Sequence, residues 1–433
     1  MAKKTFQAPR GTRDILPQEQ GYWEKVNSVI AKTAKTYGFE RIDTPIIEDV
    51  ELFIKGTGAT TDIVQKEMYN LRTKGGDKLV LRPEFTPAVI RAYLENGLSS
   101  QPHPVKLYST GPVFRYERPQ KGRYRQHQQA NFEIFGEKDP VLDSQLIQLF
   151  FSITKGVGLK NVITQINSIG CRQCRPNYRK KLSVFYRKRK KEICSDCQKR
   201  LQQNPLRLLD CKKEKCILIS QEAPQTIDNL CSECHNHFRS VLEYLDETEI
   251  PYILNPNLVR GLDYYTKTVF EIWPEDENAK IASSANRQSA LGGGGRYDEL
   301  IKLLGGKETP GVGFAMGLDR IVNLMIENNI RVPVKNPPLV FLVQLGDLGK
   351  KKSLKLFEEL RQAGIETVSS PSRNAIKGQM KAADKLGVRF ALILGQKEAL
   401  DETIIIKDMS SSSQETVPMN KVVQILKRRI KKR

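Results

Sequence analysis

Apolar positions along the chain change period several times, and each change predicts an element. Trp23, Val26, Ile30, Ala34 and Tyr37 recur at three- and four-residue steps, the stripe of one helix face, and Gly38 stands where a left-handed cap belongs. Residues 39–48 read as extended chain, with Pro45 barred from a central ladder position. Residues 79–87, LVLRPEFTP, predict a strand that closes on a polar corner of Arg82, Glu84 and Thr86. On a strand, alternate residues share a face, so Glu84 and Thr86 point together: taken alone they read first as a charged surface edge, and otherwise as a carboxylate and a hydroxyl suited to an ammonium group. Residues 105–108 and 131–136 alternate and are rich in β-branched and aromatic side chains, which predicts a strand, a polar loop and a returning strand.

In the second half, residues 309–321, TPGVGFAMGLDRI, predict a strand of small residues running into a helix striped by Leu318, Ile321, Val322 and Met325. Residues 274–289 are polar and predict a mobile loop, and residues 333–338, PVKNPP, a linker. Beyond it strand and helix alternate: strands at 339–345, 390–394 and 403–407, helices at 352–363 and 375–386, a loop at 410–413 and a basic terminal helix at 421–433. That pattern predicts a compact α/β domain of about 95 residues.

Composition narrows the class. A chain of 433 residues with 39% hydrophobic content predicts two or three folded domains. Lys and Arg number 70 against 49 Asp and Glu, a formal charge of +21, which predicts an acidic macromolecular partner with nucleic acid foremost. The apolar runs, such as 339–345 and 390–394, fall well short of the roughly 20 residues a membrane span requires. MAKKTFQAPRG carries no apolar leader segment, so the expectation is a cytoplasmic chain without membrane contact, where cysteines serve metal or remain thiols more than they form disulfides.

A composition shift begins at Cys171. Residues 171–240 hold 17 Lys and Arg against 7 Asp and Glu, a local excess of ten, and all eight cysteines lie among them. Cys171/Cys174, Cys194/Cys197 and Cys231/Cys234 are C-x-x-C pairs, and Cys211 and Cys216 complete the set. Eight thiolates would fill two four-sulfur zinc sites, with His235 or His237 as further ligands, and a small domain poor in apolar sequence would gain folding energy from the metal. Reduced cysteines without metal are the alternative, and sequence leaves the pairing open. RKRKK at 187–191 reads equally as a solvated face or as a contact to RNA phosphates.

Three stretches carry candidate chemistry. Between the strands at 105–108 and 131–136 lie Arg115, Arg118, Lys121, Arg123 and Arg125, broken by Pro119 and Gly122. Guanidinium forks at that density suit an anion with several oxygens, while Glu117 and Glu133 interrupt the charge and suit a cationic or N–H-bearing group; an RNA-binding basic hairpin is the competing reading. LVRGLDYYT at 258–266 sets Arg260, Asp263, Tyr264 and Tyr265 around a glycine, the makings of a small-molecule pocket. ALGGGGRYDEL at 290–300 offers glycines that permit close backbone approach to a ligand, without being a dinucleotide fingerprint. Arg320 falls in the first turn of its helix, where free N–H groups and the guanidinium could together hold phosphate.

Taken together, RGTRDILP at 10–17, FRYERPQKGRYRQ at 114–126, LVRGLDYYT, GGGRYDEL and GVGFAMGLDRI resemble the signatures of the histidyl-tRNA synthetase family, class II aminoacyl-tRNA synthetases, over nearly the whole chain. The resemblance implies an α+β fold: an antiparallel-sheet catalytic core at 1–170 and 246–333, a Cys-rich insertion at 171–245, and an α/β anticodon-binding domain at 338–433. It implies activation of histidine by ATP and Mg²⁺ to histidyl-adenylate, then transfer to tRNA(His), in a homodimer whose interface involves residues 23–48. Arg115, Glu117, Arg123 and Arg320 would bind ATP, with Arg115 on the α-phosphate and carboxylate and Arg320 on the γ-phosphate. Arg260 would brace the α-phosphate as it becomes pentacovalent. Glu84, Thr86 and Gln129 would take the α-ammonium group, and Glu133, Tyr264, Tyr265 and Tyr297 the imidazole. A pocket satisfying both the N–H and the lone pair of imidazole discriminates without an editing domain. The insertion would touch the acceptor arm and the tail the anticodon.

Two departures stand out. The family pattern R-Q-F-H-Q appears here as R-Q-H-Q-Q at 125–129, and the Cys-rich insertion is atypical. Regulatory paralogues of the family, which lose the active-site arginines and usually the C-terminal domain, are the competing class; Arg115, Arg260, Arg320 and the tail are all present here.

Overall fold

The computed structural model describes residues 6–118, 122–275, 290–333, 337–370 and 375–431. Two compact units divide at residue 333/334, within the expected linker. Lys121 and most of the loop expected at 274–289 lie outside the described residues.

The larger unit is built on an eight-stranded sheet. Its order across the sheet is Glu40–Arg41, Val105–Phe114, Gln126–Phe135, Gly311–Gly317, Gly292–Arg296, Thr266–Pro274, Val162–Ser168 and Tyr252–Leu254. The six central strands are antiparallel to one another, and the short outer strands pair parallel. Alternation along Gln126–Phe135 buries Ala130, Phe132 and Ile134 in one core and turns Gln129, Asn131 and Glu133 to the other face. The first face is covered by the helices Gln20–Thr36, Val141–Val157 and Leu318–Glu327, whose Trp23, Ile30, Leu146, Phe150, Ile321 and Met325 join Phe132, Phe270 and Phe314 in a single cluster. The stripe predicted on the first helix is thus its buried face, and Gly38 follows it at φ +76°.

The expected strand at 79–87 is shorter. Pairing ends at Leu81 in the strand Lys78–Leu81, and Pro87 opens the helix Thr86–Glu95 from its first turn. Glu84 and Thr86 still face the same way, through a loop and a helix start rather than strand alternation. Arg82 leaves them: its guanidinium donates to the carbonyls of Thr44 (2.7 Å) and Pro112 (3.0 Å), so it serves the backbone of the core.

The Cys-rich segment is helical, with helices Cys174–Lys188, Ser195–Gln203, Glu214–Gln221 and Ser232–Glu247. The last of these belongs as much to the core of the larger unit, because Phe238, Val241 and Leu245 pack into the main cluster. Its His237 meets Asp143, which also pairs with the fully buried Arg296 at 2.5 Å. Burial makes that carboxylate costly, yet Arg296 and His237 hold it well below the ordinary carboxylate range.

The smaller unit has a five-stranded sheet in the order Thr367–Ser369, Val340–Gln344, Phe390–Leu394, Thr403–Asp408, Gln414–Pro418. The strands at Thr367–Ser369 and Gln414–Pro418 are additional to those expected from the sequence. No helix among the described residues is long and apolar enough to cross a membrane.

Candidate active site

Sheet register hollows out the face opposite the helices. Across it, Glu271 lies opposite Gly293, Gly293 opposite Ala315, and Ala315 opposite Asn131. The next row sets Glu133 against Gly313 and Gly313 against Gly295. Small residues in the two central strands leave a trough whose polar side chains rise from its borders. The glycines at 292–295 therefore make room mainly for the protein's own groups: a Cβ on Gly293 would lie 2.7 Å from Arg260 Nη1, and one on Gly294 2.0 Å from the Gly313 carbonyl.

A cavity of about 320 Å³ occupies this trough. Arg115, Arg260 and Arg320, drawn from three distant parts of the chain, all line it. Arg115 leaves the end of its strand and donates Nε to the Pro83 carbonyl at 2.8 Å. Arg260 donates Nη1 to Glu271 at 2.5 Å, and its buried Nε has no partner among the described residues. Arg320 rises from the first turn of its helix and donates to the carbonyls of Gly122 (3.1 Å) and Ala290 (2.5 Å). Burial, and next Arg123, push the Arg320 guanidinium down from its usual range. Cations crowded in a partly dry cleft call for an anion. Glu117 and Arg123 line the same wall, 3.5 Å apart.

Two buried carboxylates accompany these cations. Glu84 accepts from Thr57 Oγ1 (2.7 Å) and from the Tyr264 hydroxyl (2.9 Å), and its burial raises its pKa. Glu133 accepts from Thr86 Oγ1 (2.5 Å), from Asn131 Nδ2 (2.6 Å) and from the Tyr297 hydroxyl. Desolvation pushes Glu133 up to about 7, although all three hydrogen bonds oppose the shift. Burial drives Tyr264 and Tyr297 well above the usual phenol range, so both remain hydroxyl donors to these acids. Gln129 lines the cavity with an Oε1 that is buried and unpartnered among the described residues, a waiting acceptor.

Of the residues expected in the site, Glu84, Thr86, Arg115, Glu117, Arg123, Gln129, Arg260, Tyr264, Tyr265, Tyr297 and Arg320 form the cavity wall. Glu133 sits directly behind it, fully buried, holding Thr86 and Tyr297. Other wall residues escaped sequence reasoning. Glu271, which secures Arg260, had one signal, a carboxylate set among the apolar Val269, Phe270, Ile272 and Trp273. Asp319 accepts the Gln128 N–H at 2.7 Å. Asp210 and Lys212 reach the cavity from the Cys-rich insertion, far from any motif.

Residues 11–321 match the family model described as histidyl-tRNA synthetase, and residues 340–429 one described as anticodon binding domain. The chain belongs to the histidyl-tRNA synthetase family. A histidine–tRNA ligase from Dehalococcoides mccartyi is 44% identical over 425 residues, covering 98% of this chain and all of that one. The counterpart from Desulforamulus reducens is 44% identical over 421 residues, 97% of this chain and 99% of that one. Among solved structures, apo histidyl-tRNA synthetase from S. aureus aligns with a TM-score of 0.78 at 34% identity, over 97% of this chain and 99% of that one. The chain is thus an aminoacyl-tRNA synthetase with the class II catalytic fold and a separate anticodon-binding domain, as its motifs implied.

Proposed function

We propose that this synthetase activates histidine with ATP and transfers it to tRNA(His), and that the cavity over the central sheet is where histidyl-adenylate forms. The observation that carries the reading is the convergence of Arg115, Arg260 and Arg320 on one cavity that also holds Glu84 and is backed by Glu133.

Each role follows from chemistry at its place. Attack of the histidine carboxylate on the α-phosphate builds negative charge on crowded oxygens, and fixed cations are the device for that. Arg115 faces the α-phosphate and carboxylate, Arg320 the γ-phosphate, and Arg260, braced by Glu271, the α-phosphate as it becomes pentacovalent. Glu117 and Arg123 complete the ATP wall. Mg²⁺ would arrive on the phosphates, with Glu117 the carboxylate of the ATP wall able to hold it, and it would neutralise phosphate charge. Glu84, Thr86 and the free Gln129 oxygen receive the α-ammonium group. Tyr297 donates to Glu133 and Tyr264 to Glu84, so each phenol oxygen keeps lone pairs for the imidazole N–H, and Tyr265 closes the side of that pocket.

The same reading includes tRNA(His) with its anticodon on the C-terminal unit and its acceptor arm near the insertion, a homodimer formed around residues 23–48, and the cytoplasm as its compartment. The eight insertion cysteines enter it as ligands of structural zinc. Histidine-dependent exchange of pyrophosphate into ATP, followed by charging of tRNA(His), tests the activity. Exchange that ignores histidine would refute the reading, and a monomer in sedimentation would remove its dimer.

A further inference from the structure

The eight cysteines form two separate sets of four, a pairing their spacing leaves open. Cys171, Cys174, Cys231 and Cys234 make one, and Cys194, Cys197, Cys211 and Cys216 the other, with the sulfurs of each set within 4.8 Å of one another. All eight are free thiols. The Sγ–Sγ separations are 3.7 Å for Cys171–Cys174, 3.8 Å for Cys171–Cys231, 3.7 Å for Cys174–Cys234 and 3.9 Å for Cys194–Cys211. A disulfide would need about 2.05 Å. Four thiolates at about 2.3 Å from one zinc ion stand about 3.8 Å apart along the edges of the tetrahedron. Three edges of the first set and the Cys194–Cys211 edge of the second match the second geometry, and all sulfurs of each set lie within 4.8 Å.

Backbone N–H groups already point at these sulfurs, as second-layer donors do around thiolate-bound metal. Cys171 N–H reaches Cys174 Sγ at 3.1 Å, Cys194 N–H reaches Cys216 Sγ at 3.3 Å, and Cys197 N–H reaches Cys194 Sγ at 3.4 Å. The excess of lysine and arginine in this segment answers the net negative charge of a four-thiolate zinc centre.

The two sets sit at different places in the fold. The first joins the chain where it leaves the catalytic sheet after Val162–Ser168 to where it returns in Ser232–Glu247. Beside it, Arg175 donates to the carbonyls of Tyr265 (2.5 Å) and Gly170 (3.2 Å), linking that knot to the aromatic wall of the cavity. The second lies further out, and its Cys211 is flanked in sequence by Asp210 and Lys212, the two insertion residues that line the catalytic cavity. The segment before Cys211 is docked on the core: Asn204 donates to Asp263 at 3.0 Å, and Arg207 donates to Thr60 O at 3.1 Å and pairs with Asp62. Around Cys211 itself there is no sheet, only short helical turns.

We propose that the chain carries two single-ion tetrathiolate zinc centres with distinct work: the Cys171 centre ties the insertion to the catalytic core, and the Cys194 centre fixes Asp210 and Lys212 as the roof of the catalytic cavity. The roof's role rests on the reading of that cavity as the site of adenylate formation; the two centres do not. Through the second centre, loss of metal from the insertion reaches the chemistry of the active site.

Metal analysis of the full-length protein, purified without chelator, should give two zinc ions per chain. Cobalt-loaded protein should show thiolate charge-transfer absorption for two tetrahedral sites. Cys211→Ser should lose one ion and lower histidine-dependent pyrophosphate exchange at least tenfold. Cys231→Ser should lose the other ion. Lys212→Ala keeps every ligand, so it should retain both ions and still slow exchange, which tests the roof even if Cys211→Ser fails to fold. One ion or none in the wild-type protein overturns the two-centre proposal. Unchanged exchange in Lys212→Ala and in an Asp210→Ala variant overturns the roof. A two-zinc protein without histidine-dependent exchange would instead sink the proposed function and leave the centres standing.

Discussion

Gly313 faces Glu133 across the sheet, and a Cβ at position 313 would fall 1.8 Å from the Glu133 carboxylate. Neighbouring backbone closes the alternatives, since the Phe132 carbonyl would lie 2.6 Å from the same atom. Glu133 must therefore move if any side chain enters there, and Thr86 and Tyr297 move with it. Gly313→Ala should raise KM for histidine by about tenfold or more and cost roughly 1–3 kcal/mol of stability, the usual range for overpacking a filled core. KM for ATP should stay within about threefold, because the side chains displaced with Glu133 are Thr86 and Tyr297 rather than the cavity arginines. Steady-state exchange kinetics with denaturant unfolding check both halves.

Burial gives Glu133 a second signature. Its pKa of about 7 in the folded protein compares with 4.5 for the free group. Between those values the folded chain binds a proton that the unfolded chain has released, so stability falls as pH rises through the window. The total is roughly 3.5 kcal/mol, from about 2.5 pH units at about 1.4 kcal/mol each. Glu133→Gln should remove that slope, and the difference in unfolding free energy between wild type and variant from pH 4.5 to 7 isolates it. Equal slopes in the two proteins would place the titration elsewhere.

How much of this was legible in the sequence depends on the range of the forces involved. The stripe from Trp23 to Ala34 announced its helix because a 3.6-residue period is local, and the motif arginines announced an anion site through their chemistry. The strand expected at 79–87 failed at Pro83 and Pro87, where proline and a helix start override the apolar run. Burial depth was not legible either. Nothing near position 133 says that its carboxylate will sit behind Thr86 and Tyr297, since that is set by Gly313, 180 residues away along the chain and opposite it in register. The cysteine pairing was hidden for the same reason, because Cys171 meets Cys231 only after three helices have folded between them.

Arg260 is held by a single carboxylate, Glu271, with its Nε left unpaired among the described residues. A guanidinium so placed can turn a donor to charge that appears only during the reaction. Arg260→Ala should lower the rate of adenylate formation by about 10²–10³-fold, the range for removing one such donor, with KM for ATP changed much less. Glu271→Gln should lower the rate by a smaller factor, since the neutral amide still holds Arg260 in place. Near-normal exchange in Arg260→Ala would refute the assignment. A Glu271→Gln variant as damaged as Arg260→Ala would mean that Glu271 meets the substrate itself.

His127 occupies the position where the family pattern has phenylalanine, and it lines the same cavity as Arg115 and Arg320. Burial first, then those two arginines, lower its pKa to about 3. It is therefore neutral throughout the working range and adds no further cation to the phosphate wall. Its Nδ1 is buried without a partner among the described residues. A phenyl ring removes that unsatisfied atom but also gives up the hydrogen bond to the Tyr124 backbone, so His127→Phe should change stability by less than about 1 kcal/mol near pH 8. Below 6.5 the unfolded chain takes up a proton that folded His127 refuses, so wild type should lose a further 1.4 kcal/mol or so relative to the variant for each pH unit down toward 3. KM for ATP should remain within about threefold at pH 8, as expected of a side chain that gives the phosphates no charge. A large rise in KM there would mean that a ring nitrogen of His127 bonds the nucleotide.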